Sequence, residues 1–567
     1  MTDTPTLRRQ IGRAMLAVLI AMTLACSATD RPEPADLVIL GDVITMNRDA
    51  PRAEALAARG GRLVAVGSAD DVRALIDDST EVLELPPSSV AVPGLIEGHA
   101  HFLGVGRGAD RVDLGGARSW DEVVARVAAA ADRREPGTWI EGRGWHQEKW
   151  ATPPETVVDG MPVHDLLSAA TPDHPVVLTH ASGHAVIVNA LALELAGIDR
   201  STPDPPGGEV VRDSTGRPTG VLLETAEDLV MAVRDTGDDP EEIRRAARSA
   251  VEQCLANGLT SFQDAGTSFA ELAVLRQMAD AGDLGVRLWV MLSEDDDVLE
   301  TELPAALAEG RRSDWLTVGG IKRYADGALG SRGAWLLEPY SDLPSATGLS
   351  IVGPDQLERA GQLALEYDLQ LCTHAIGDRA NRETLDVYER LLDGRDRRWR
   401  IEHAQHLHPD DIGRFAALGV VAAMQPVHCT SDAPWVPQRL GPERARTGAY
   451  RWRDLLDSGA VIVAGTDAPV EPLDPMATFR AAVTRRTSDG SVFYPEQAMT
   501  REEALASMTR EAAWGAFEES VKGTLEVGKL ADVTVLSVDP LTVPEEQLAS
   551  LKAVATVVGG RVAYTAD

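Results

Sequence analysis

The sequence predicts an α/β protein, a (β/α)8 TIM-type barrel with a small β-sandwich domain built from both termini and an insertion after the first barrel strand. Two observations carry this prediction. Through the middle of the chain, apolar strand-like runs such as LTVGGIKRYADG, LQLCTHAIGD and AVIVAGTDAP alternate with helical stretches such as PDQLERAGQLALEY. Near the two ends, by contrast, the chain is rich in β-type runs, ADLVILGDVITMN and GRLVAVG at the start, GKLADVTVLSVDP and AVATVVGGRVAY at the end.

Each part of this architecture has a local reason. Strands that alternate with helices form βαβ units and a parallel sheet. A polar residue stands at the C-terminal end of each of these strands, which favours a closed barrel over an open sheet. We therefore expect a signal peptide at 1–25, a tether at 26–35, the two parts of the β-domain at 36–93 and 520–567, and the barrel at 94–519 with its insertion at about 115–225.

The overall charge limits the partners of the protein. The chain has 54 Lys and Arg against 88 Asp and Glu, a formal net charge of −34. Nucleic-acid phosphates are repelled by such a surface, so we expect no nucleic acid partner. A small-molecule substrate is the expected ligand, and a second copy of the chain is a candidate partner.

The first residues are typical of an export signal. Arg8, Arg9 and Arg13 precede a short apolar run, which ends in TLAC at Cys26. A basic start, an apolar run too short to cross a bilayer and small residues before a cysteine predict a lipoprotein-type cleavage site. We expect an exported protein that is anchored to the cell membrane by a lipid on Cys26; the alternatives are an uncleaved anchor and a misassigned start codon. The pair of arginines is a weak indication of twin-arginine export.

Two histidines flank a single alanine in PGLIEGHAHFLG. The preceding SSVAVPGLI is predicted to be a buried strand, and alternate residues of a strand point to the same side. The imidazoles of His99 and His101 therefore project together, as two ligands of one metal ion would. One such pair in a chain of this length is weak evidence on its own.

Other potential ligands end later strands of the predicted barrel. A lone lysine is usually exposed, a lone histidine is often a hydrogen-bonded core residue, and an aspartate before proline often forms a turn. Together these residues fall at the same end of successive strands, where barrel enzymes hold their reacting groups. They are Lys322 in IKRYADG, His374 in CTHAIGD, His403 in IEHAQ and Asp467 in AGTDAP.

This order of ligands resembles that of the amidohydrolase superfamily. The chain is most similar to the amidohydrolase-3 branch, which includes N-substituted formamide deformylases, in stretches such as GRGWHQEKW, THAIGDRAN, RIEHAQHLHPDDIG and VAGTDAPVEPLDPM. The resemblance covers essentially everything after the tether. It departs at Glu97, where relatives usually have aspartate. Because Glu97 lies one residue off the His-x-His alternation, it should point away from the metal, with little effect.

The resemblance implies a metal-dependent hydrolase. Imidazoles and a carboxylate suit borderline divalent ions, zinc first, with manganese, iron and nickel left open. A protonated lysine cannot ligate a cation, so Lys322 would have to be deprotonated or carboxylated by CO₂. The resemblance implies that such a carbamate bridges two metals, which we expect to be zinc. The expected ligands are His99, His101, Lys322, His374, His403 and Asp467.

The expected reaction is hydrolysis of a C–N bond in a small amide, formamide or cyclic amide. Asp467 would take the proton of the water that the metal activates and return it to the leaving amine, with Lys322 as a further catalytic residue. His184 in HASGHAV is the expected substrate contact. Hydrolysis of another ester-type bond, and a non-catalytic small-molecule-binding lipoprotein on the same scaffold, remain alternatives.

Some further residues should support the site. Asp264 and Asp326 also end strands and are expected to orient the ligands. His428 follows a strand and could line the pocket. The stretch GRGWHQEKW should lie in the insertion and cover the mouth of the barrel.

Overall fold

The computed structural model describes residues 33–108, 111–234 and 239–566. The expected signal peptide, most of the tether and Cys26 lie outside the described residues. Within these ranges, every helix is too short or too polar to cross a membrane.

The described chain begins with the N-terminal part of a small β-domain. Its strand β1 pairs antiparallel with β2 and parallel with β4 and β5. The elements are β1 (Leu37–Ile44), β2 (Arg52–Arg59), β3 (Arg62–Gly67), α1 (Ala69–Arg73), β4 (Glu81–Glu84) and β5 (Val90–Pro93).

The first barrel strand and its helix follow, and then the insertion. The insertion is a folded unit rather than a long loop, because its strands form a mixed sheet in the order β13-β14-β12-β11-β8-β7 around apolar clusters of its own. The elements are β6 (Leu95–Ala100), α2 (Phe102–Arg107), β7 (Val112–Asp113), α3 (Trp120–Ala131), β8 (Ile140–Trp145), β9 (Val157–Val158), β10 (Met161–Pro162), α4 (Asp165–Ala170), β11 (Val176–His180), β12 (Ala185–Val188), α5 (Ala190–Leu195), β13 (Gly208–Arg212), β14 (Pro218–Glu224) and α6 (Asp228–Met231).

The rest of the barrel alternates strands with helices. The elements are α7 (Pro240–Ala256), β15 (Leu259–Thr267), α8 (Phe269–Ala281), β16 (Arg287–Leu292), α9 (Asp296–Ala308), β17 (Leu316–Tyr324), α10 (Pro354–Glu366), β18 (Gln370–Ala375), α11 (Asp378–Leu392), β19 (Arg400–His403), α12 (Pro409–Leu418), β20 (Val421–Met424), α13 (Pro426–Asp432), α14 (Val436–Leu440), α15 (Pro442–Gly448), α16 (Trp452–Ser458), β21 (Ile462–Ala464), α17 (Pro475–Thr484), α18 (Arg501–Ser507) and α19 (Arg510–Gly515). Short 3₁₀ turns lie at Gln147–Lys149, Thr225–Glu227, Pro495–Gln497 and Glu545–Ser550.

Strand β6 and the strands from β15 to β21 form a parallel sheet in chain order, which contains eight strands of the described chain. These strands are buried on both faces because helices cover the outside and side chains fill the inside. They therefore appear in the sequence as continuous apolar runs instead of alternating ones.

Backbone hydrogen bonds close the barrel at its C-terminal edge. The Asp467 N–H donates to the His99 carbonyl, and the His101 N–H donates to the Ala468 carbonyl, both at 2.8 Å. The buried Glu97 carboxylate strengthens this seam, since it accepts from the Thr466 N–H at 2.7 Å and the Thr466 hydroxyl at 3.0 Å. Glu97 is thus buried where the first and last barrel strands meet, and it has a structural role there. This role was not predicted from the sequence.

The chain returns to the small domain in β22 (Val533–Leu536), β23 (Ala553–Val558) and β24 (Arg561–Thr565). Strand β22 pairs antiparallel with β5, so strands of both chain ends share one continuous sheet in the order β24-β23-β22-β5-β1-β2-β3, with β4 on β1. Alternate residues of β1 enter two different apolar clusters, one on each face. The fold class predicted from the sequence is confirmed.

Candidate metal centre and active site

The structure brings the predicted ligands to one place, the C-terminal mouth of the barrel. Their side chains are buried except that of His101, which is 34% exposed towards the cavity. His99 lies on β6, Lys322 on β17, His374 on β18 and His403 at the end of β19, while His101 directly follows β6 and Asp467 lies in the loop after β21.

Three of these side chains converge on one point. Asp467 Oδ1 lies 3.3 Å from His101 Nε2 and 3.6 Å from His99 Nε2. Among the described residues, neither His99 Nε2 nor Asp467 Oδ1 has a hydrogen-bond partner. Buried polar atoms rarely remain without a partner. The donor set of two imidazoles and a carboxylate fits a divalent ion, and its ligating atoms lie within 4.8 Å of one another.

A second convergent group shares Asp467. It contains His403 and His428, again with ligating atoms within 4.8 Å of one another. His428 Nε2 lies 3.8 Å from Asp467 Oδ2 and has no hydrogen-bond partner in the described part of the chain. His428 therefore lies beside the candidate ligands and also lines a small cavity, as expected from the sequence. Its signal in the sequence is a histidine just after the seventh barrel strand, in MQPVH.

Burial favours the neutral form of the imidazoles of His99, His374 and His403, which is the form that binds metals. The ring of His403 lies 4.7 Å from that of His99 and 4.5 Å from that of His374, measured between centroids. Burial lowers the pKa of His99 to about 4 and holds the pKa values of His374 and His403 well below the usual range.

Lys322 is buried in the same group. Its Nζ lies 4.8 Å from the centre of the Tyr324 ring. Burial lowers the pKa of Lys322, although the carboxylates of Glu402 and Asp467 oppose this effect. A lowered pKa favours the neutral amine, which is the form that can ligate a cation or react with CO₂.

Glu402 and Arg400, which the sequence reasoning missed, hold His99 in place. Glu402 Oε2 makes a short hydrogen bond to His99 Nδ1. Arg400 donates to both oxygens of Glu402, at 2.7 and 3.0 Å, and to the Gly98 carbonyl at 2.7 Å. Since the proton sits on Nδ1, the lone pair of His99 Nε2 faces Asp467. The signal was present in RIEH, where two charged residues alternate on a buried strand.

Two further buried side chains, those of Gln425 and Asp326, lie beside the candidate ligands His403 and His374. His403 Nδ1 is hydrogen bonded to Gln425 Oε1 at 2.7 Å, which leaves its Nε2 for a ligand. Asp326 lies 3.5 Å from His374 Nε2 and accepts hydrogen bonds from the backbone N–H groups of Trp335, Ile376 and Gly377. Burial raises the pKa of Asp326 to about 8.

Asp264 supports the loop that carries His101. Its carboxylate accepts hydrogen bonds from the Phe102 N–H at 2.8 Å and from the Thr267 hydroxyl. Asp264 thus holds the start of α2, directly after His101.

The insertion supplies His184, the expected substrate contact. Its Nδ1 is hydrogen bonded to Glu224 Oε2 at 2.8 Å, and its ring lies 4.7 Å from that of His374. Burial alone would lower the pKa of His184, but the carboxylates of Glu224, Asp467 and Asp326 together raise it. Glu224 has a strained backbone, with φ of +52°, and a Cβ at Gly327 would lie 1.7 Å from its Oε1. The hydrogen bond between His184 and Glu224 is therefore made at the cost of a strained backbone at Glu224.

A cavity of about 770 Å³ opens between the barrel mouth and the insertion. Its inner wall includes His101, His184, Lys322 and Asp467. The stretch GRGWHQEKW contributes Arg143 to this wall. A second cavity of about 50 Å³ shares Asp467 and His184 in its lining and is also lined by His146, which belongs to the same stretch. A small molecule can therefore reach the convergent ligands.

A parallel barrel with histidines, a lysine and an aspartate at its strand ends defines the class of metal-dependent barrel hydrolases. Residues 89–564 match the amidohydrolase family, and the chain belongs to it.

Known proteins are similar to the chain over nearly its whole length. Protein LONG AFTER FAR-RED 3 of Arabidopsis thaliana is 34% identical over 94% of this chain and 92% of the plant protein. The N-substituted formamide deformylase of Arthrobacter pascens is 27% identical over 93% of this chain and 98% of its own. The crystal structure of an uncharacterized metal-dependent hydrolase from Pyrococcus horikoshii OT3 superposes with a TM-score of 0.72 and 28% identity, covering 90% of this chain and 99% of that one. The predicted family resemblance is confirmed.

Proposed function

We propose that the protein hydrolyses a C–N bond of a small amide, formamide or cyclic amide in a metal-dependent reaction. One observation carries the proposal. The unpartnered atoms of His99 and Asp467 converge with His101 beside a cavity that admits a small molecule. The similarity to an N-substituted formamide deformylase supports the bond type.

The residues present fit a divalent metal, and we propose zinc, with two ions. His99, His101, His374, His403 and Asp467 would hold them, together with a carboxylated Lys322. A metal ion bound there polarises a carbonyl group and lowers the pKa of a coordinated water molecule. Neutral imidazoles and a carboxylate are the ligands zinc prefers, and the lowered pKa of Lys322 supports carboxylation.

The chain's own groups would move the protons. Asp467 would accept a proton from the attacking water at a carboxylate oxygen and deliver it to the leaving nitrogen. His184, which bonds Glu224 through Nδ1, has Nε2 left to contact the substrate on the cavity wall. The insertion contributes this part of the cavity wall.

The test is a hydrolysis screen of the zinc-loaded protein. N-substituted formamides, N-acyl amino acids, lactams and matched esters are incubated with it, and release of amine or acid is measured. Metal content is determined by mass spectrometry on the same sample. Amine release that disappears with chelation supports the proposal. Cleavage of esters alone would favour the ester-type alternative, and bound metal without turnover of any compound would favour the binding protein.

We also propose that the protein is exported and anchored through a lipid on Cys26. The basic residues, the short apolar run and the TLAC sequence at the start of the chain support this proposal.

A further inference from the structure

Arg143 occupies a particular place on the inner wall of the large cavity. Strand β8 of the insertion carries it there, and its Nε donates to the carbonyl of Pro469 at 3.3 Å. Pro469 lies two residues after Asp467. Gly183 lies on the other side of the Arg143 guanidinium. Its φ is +79°, and a Cβ at this position would lie 3.3 Å from Arg143 Nη2. The guanidinium is thus placed between the loop of Asp467 and the loop of His184.

Arg143 has no ion-pair partner within 4 Å among the described residues, in contrast to the other arginines of this cavity. Arg111 pairs with Glu141 at 3.2 Å, and Arg323 pairs with Asp296. Burial lowers the pKa of Arg143 to about 10, although the nearby charge of Asp467 opposes it. Arg143 is only partly exposed, and an arginine shielded from water is normally matched by an anion, so an anionic group that enters the cavity is its expected partner.

The carboxylates that line the cavity do not fill this place. Glu224 is bonded to His184, Asp296 to Arg323, and Glu294 to the backbone N–H of Phe269. Asp228 and Asp295 are exposed at the rim. Glu227 lies on the same cavity and its charge acts on Arg143, but within the described chain no hydrogen bond or ion pair within 4 Å joins the two side chains, and burial raises the pKa of Glu227 well above the usual range.

We infer that Arg143 binds a carboxylate of the substrate, so that the preferred substrates are amides with a carboxylate near the scissile bond, such as N-acyl amino acids. The inference rests on the proposed function. A planar guanidinium can hold a carboxylate through two parallel hydrogen bonds, which fixes orientation as well as charge. A carboxylate held between the loops of Asp467 and His184 would direct the amide into the part of the cavity that the metal ligands line.

The experiment compares three substrates of similar length with the zinc-loaded full chain: N-formyl-4-aminobutanoate, N-pentylformamide and N-formylputrescine. At the end remote from the formamide group, the first compound is negatively charged, the second is neutral and the third is positively charged. For the wild type we expect the highest kcat/KM with the carboxylate. Arg143→Met should raise KM for the carboxylate roughly 10- to 100-fold, the usual value of a charged hydrogen-bonded pair. It should leave the neutral substrate within about threefold.

Arg111→Met is the matched control, because it removes a cavity arginine that already has a partner, and it should not change the preference. Equal loss of turnover for the neutral substrate in Arg143→Met would show that Arg143 only positions the Asp467 loop, which overturns the inference. A wild-type preference for the neutral or positive substrate would overturn it too.

A binding measurement separates this inference from the proposed function. Calorimetry with hexanoate on the zinc-loaded wild type and on Arg143→Met needs no turnover, and the metal ligands are the same in both proteins. Weaker binding to the variant supports the anion site even if no amide is hydrolysed. Equal affinity for both proteins would overturn the anion site whatever the screen shows.

Discussion

His99 and Glu402 are hydrogen bonded inside the barrel although 303 residues separate them in the chain. Glu402 is in turn held by Arg400, and both residues are fully buried. Glu402 keeps the proton of His99 on Nδ1 and so aims its Nε2 at Asp467. This bond across the barrel makes the candidate metal site depend on the relative position of β6 and β19, which are not neighbours in the sheet.

Glu402→Gln tests this arrangement. Glutamine keeps the shape but leaves Arg400 without its buried counter-charge. We expect metal affinity to fall roughly 10- to 100-fold and the free energy of unfolding to fall by about 3–5 kcal/mol. Metal titration and denaturant unfolding measure the two effects. Glu300→Gln, which breaks the exposed pair with Arg359, is the control and should leave the free energy of unfolding close to that of the wild type. Unchanged metal affinity in Glu402→Gln would contradict the positioning role.

Asp467→Asn tests the proton transfer. Asparagine keeps one oxygen for the metal but cannot accept a proton. We expect metal content to persist and kcat to fall roughly a hundred- to ten-thousand-fold, with the loss in kcat rather than only in KM. Steady-state kinetics on metal-loaded protein measures this. A nearly normal kcat would place the base elsewhere, first at His428, whose Nε2 lies 3.8 Å from Asp467.

Lys322→Ala should abolish activity, and short carboxylic acids in the buffer should partly restore it. The reason is that a lysine carbamate presents a carboxylate-like group, which a free acid in the vacated space can replace. Activity is followed against added formate, acetate and propionate. Lys322→Arg serves as the comparison, because arginine stays protonated and cannot ligate a metal. Full activity of that variant would rule out a ligand role for Lys322.

His406 should make the folded protein sensitive to acid. Both of its ring nitrogens are buried without a hydrogen-bond partner among the described residues. Burial, helped by the charge of Arg444, lowers its pKa to about 3 from 6.5. The unfolded chain therefore binds a proton in this range that the native protein does not. The part of the free energy of unfolding that depends on neutral His406 is fully present above pH 6.5. It is lost as the pH falls towards 3, by up to about 1.4 kcal/mol per pH unit.

His406→Phe removes this pH-dependent part of the free energy of unfolding, because phenylalanine does not bind a proton. We expect its free energy of unfolding, measured by urea titration from pH 7 to pH 4, to fall less steeply than that of the wild type. At pH 7 the two should agree within about 1.5 kcal/mol, because the side chains have similar shape. His408→Gln, at a half-buried neighbouring site, is the matched control. Parallel curves for His406→Phe and the wild type would contradict the prediction.

Cys26→Ser tests the proposed anchor. The wild-type protein, expressed in its native host, should begin at Cys26, carry lipid and sediment with membranes. The variant should lack the lipid and appear in the soluble extract. Intact-mass analysis and fractionation measure both. A wild-type chain that begins at Met1 without modification would refute the proposal.

The sequence by itself determined the fold class and predicted that the candidate ligands lie together at the mouth. Alternation of strands and helices is a local property, and the C-terminal ends of parallel strands meet at one edge. His99, Lys322, His374 and Asp467 could therefore be placed together from their positions at strand ends alone. The export signal is likewise read from local sequence, and it stays a prediction.

Only the tertiary structure decided which residues support the ligands and shape the cavity. Glu402 meets His99, and Glu224 meets His184, through side-chain contacts that no local pattern encodes. Arg143 faces the barrel because a separately folded insertion packs over the mouth. These contacts depend on how distant segments pack in three dimensions, whereas strand ends and helical periods depend on neighbours in the chain.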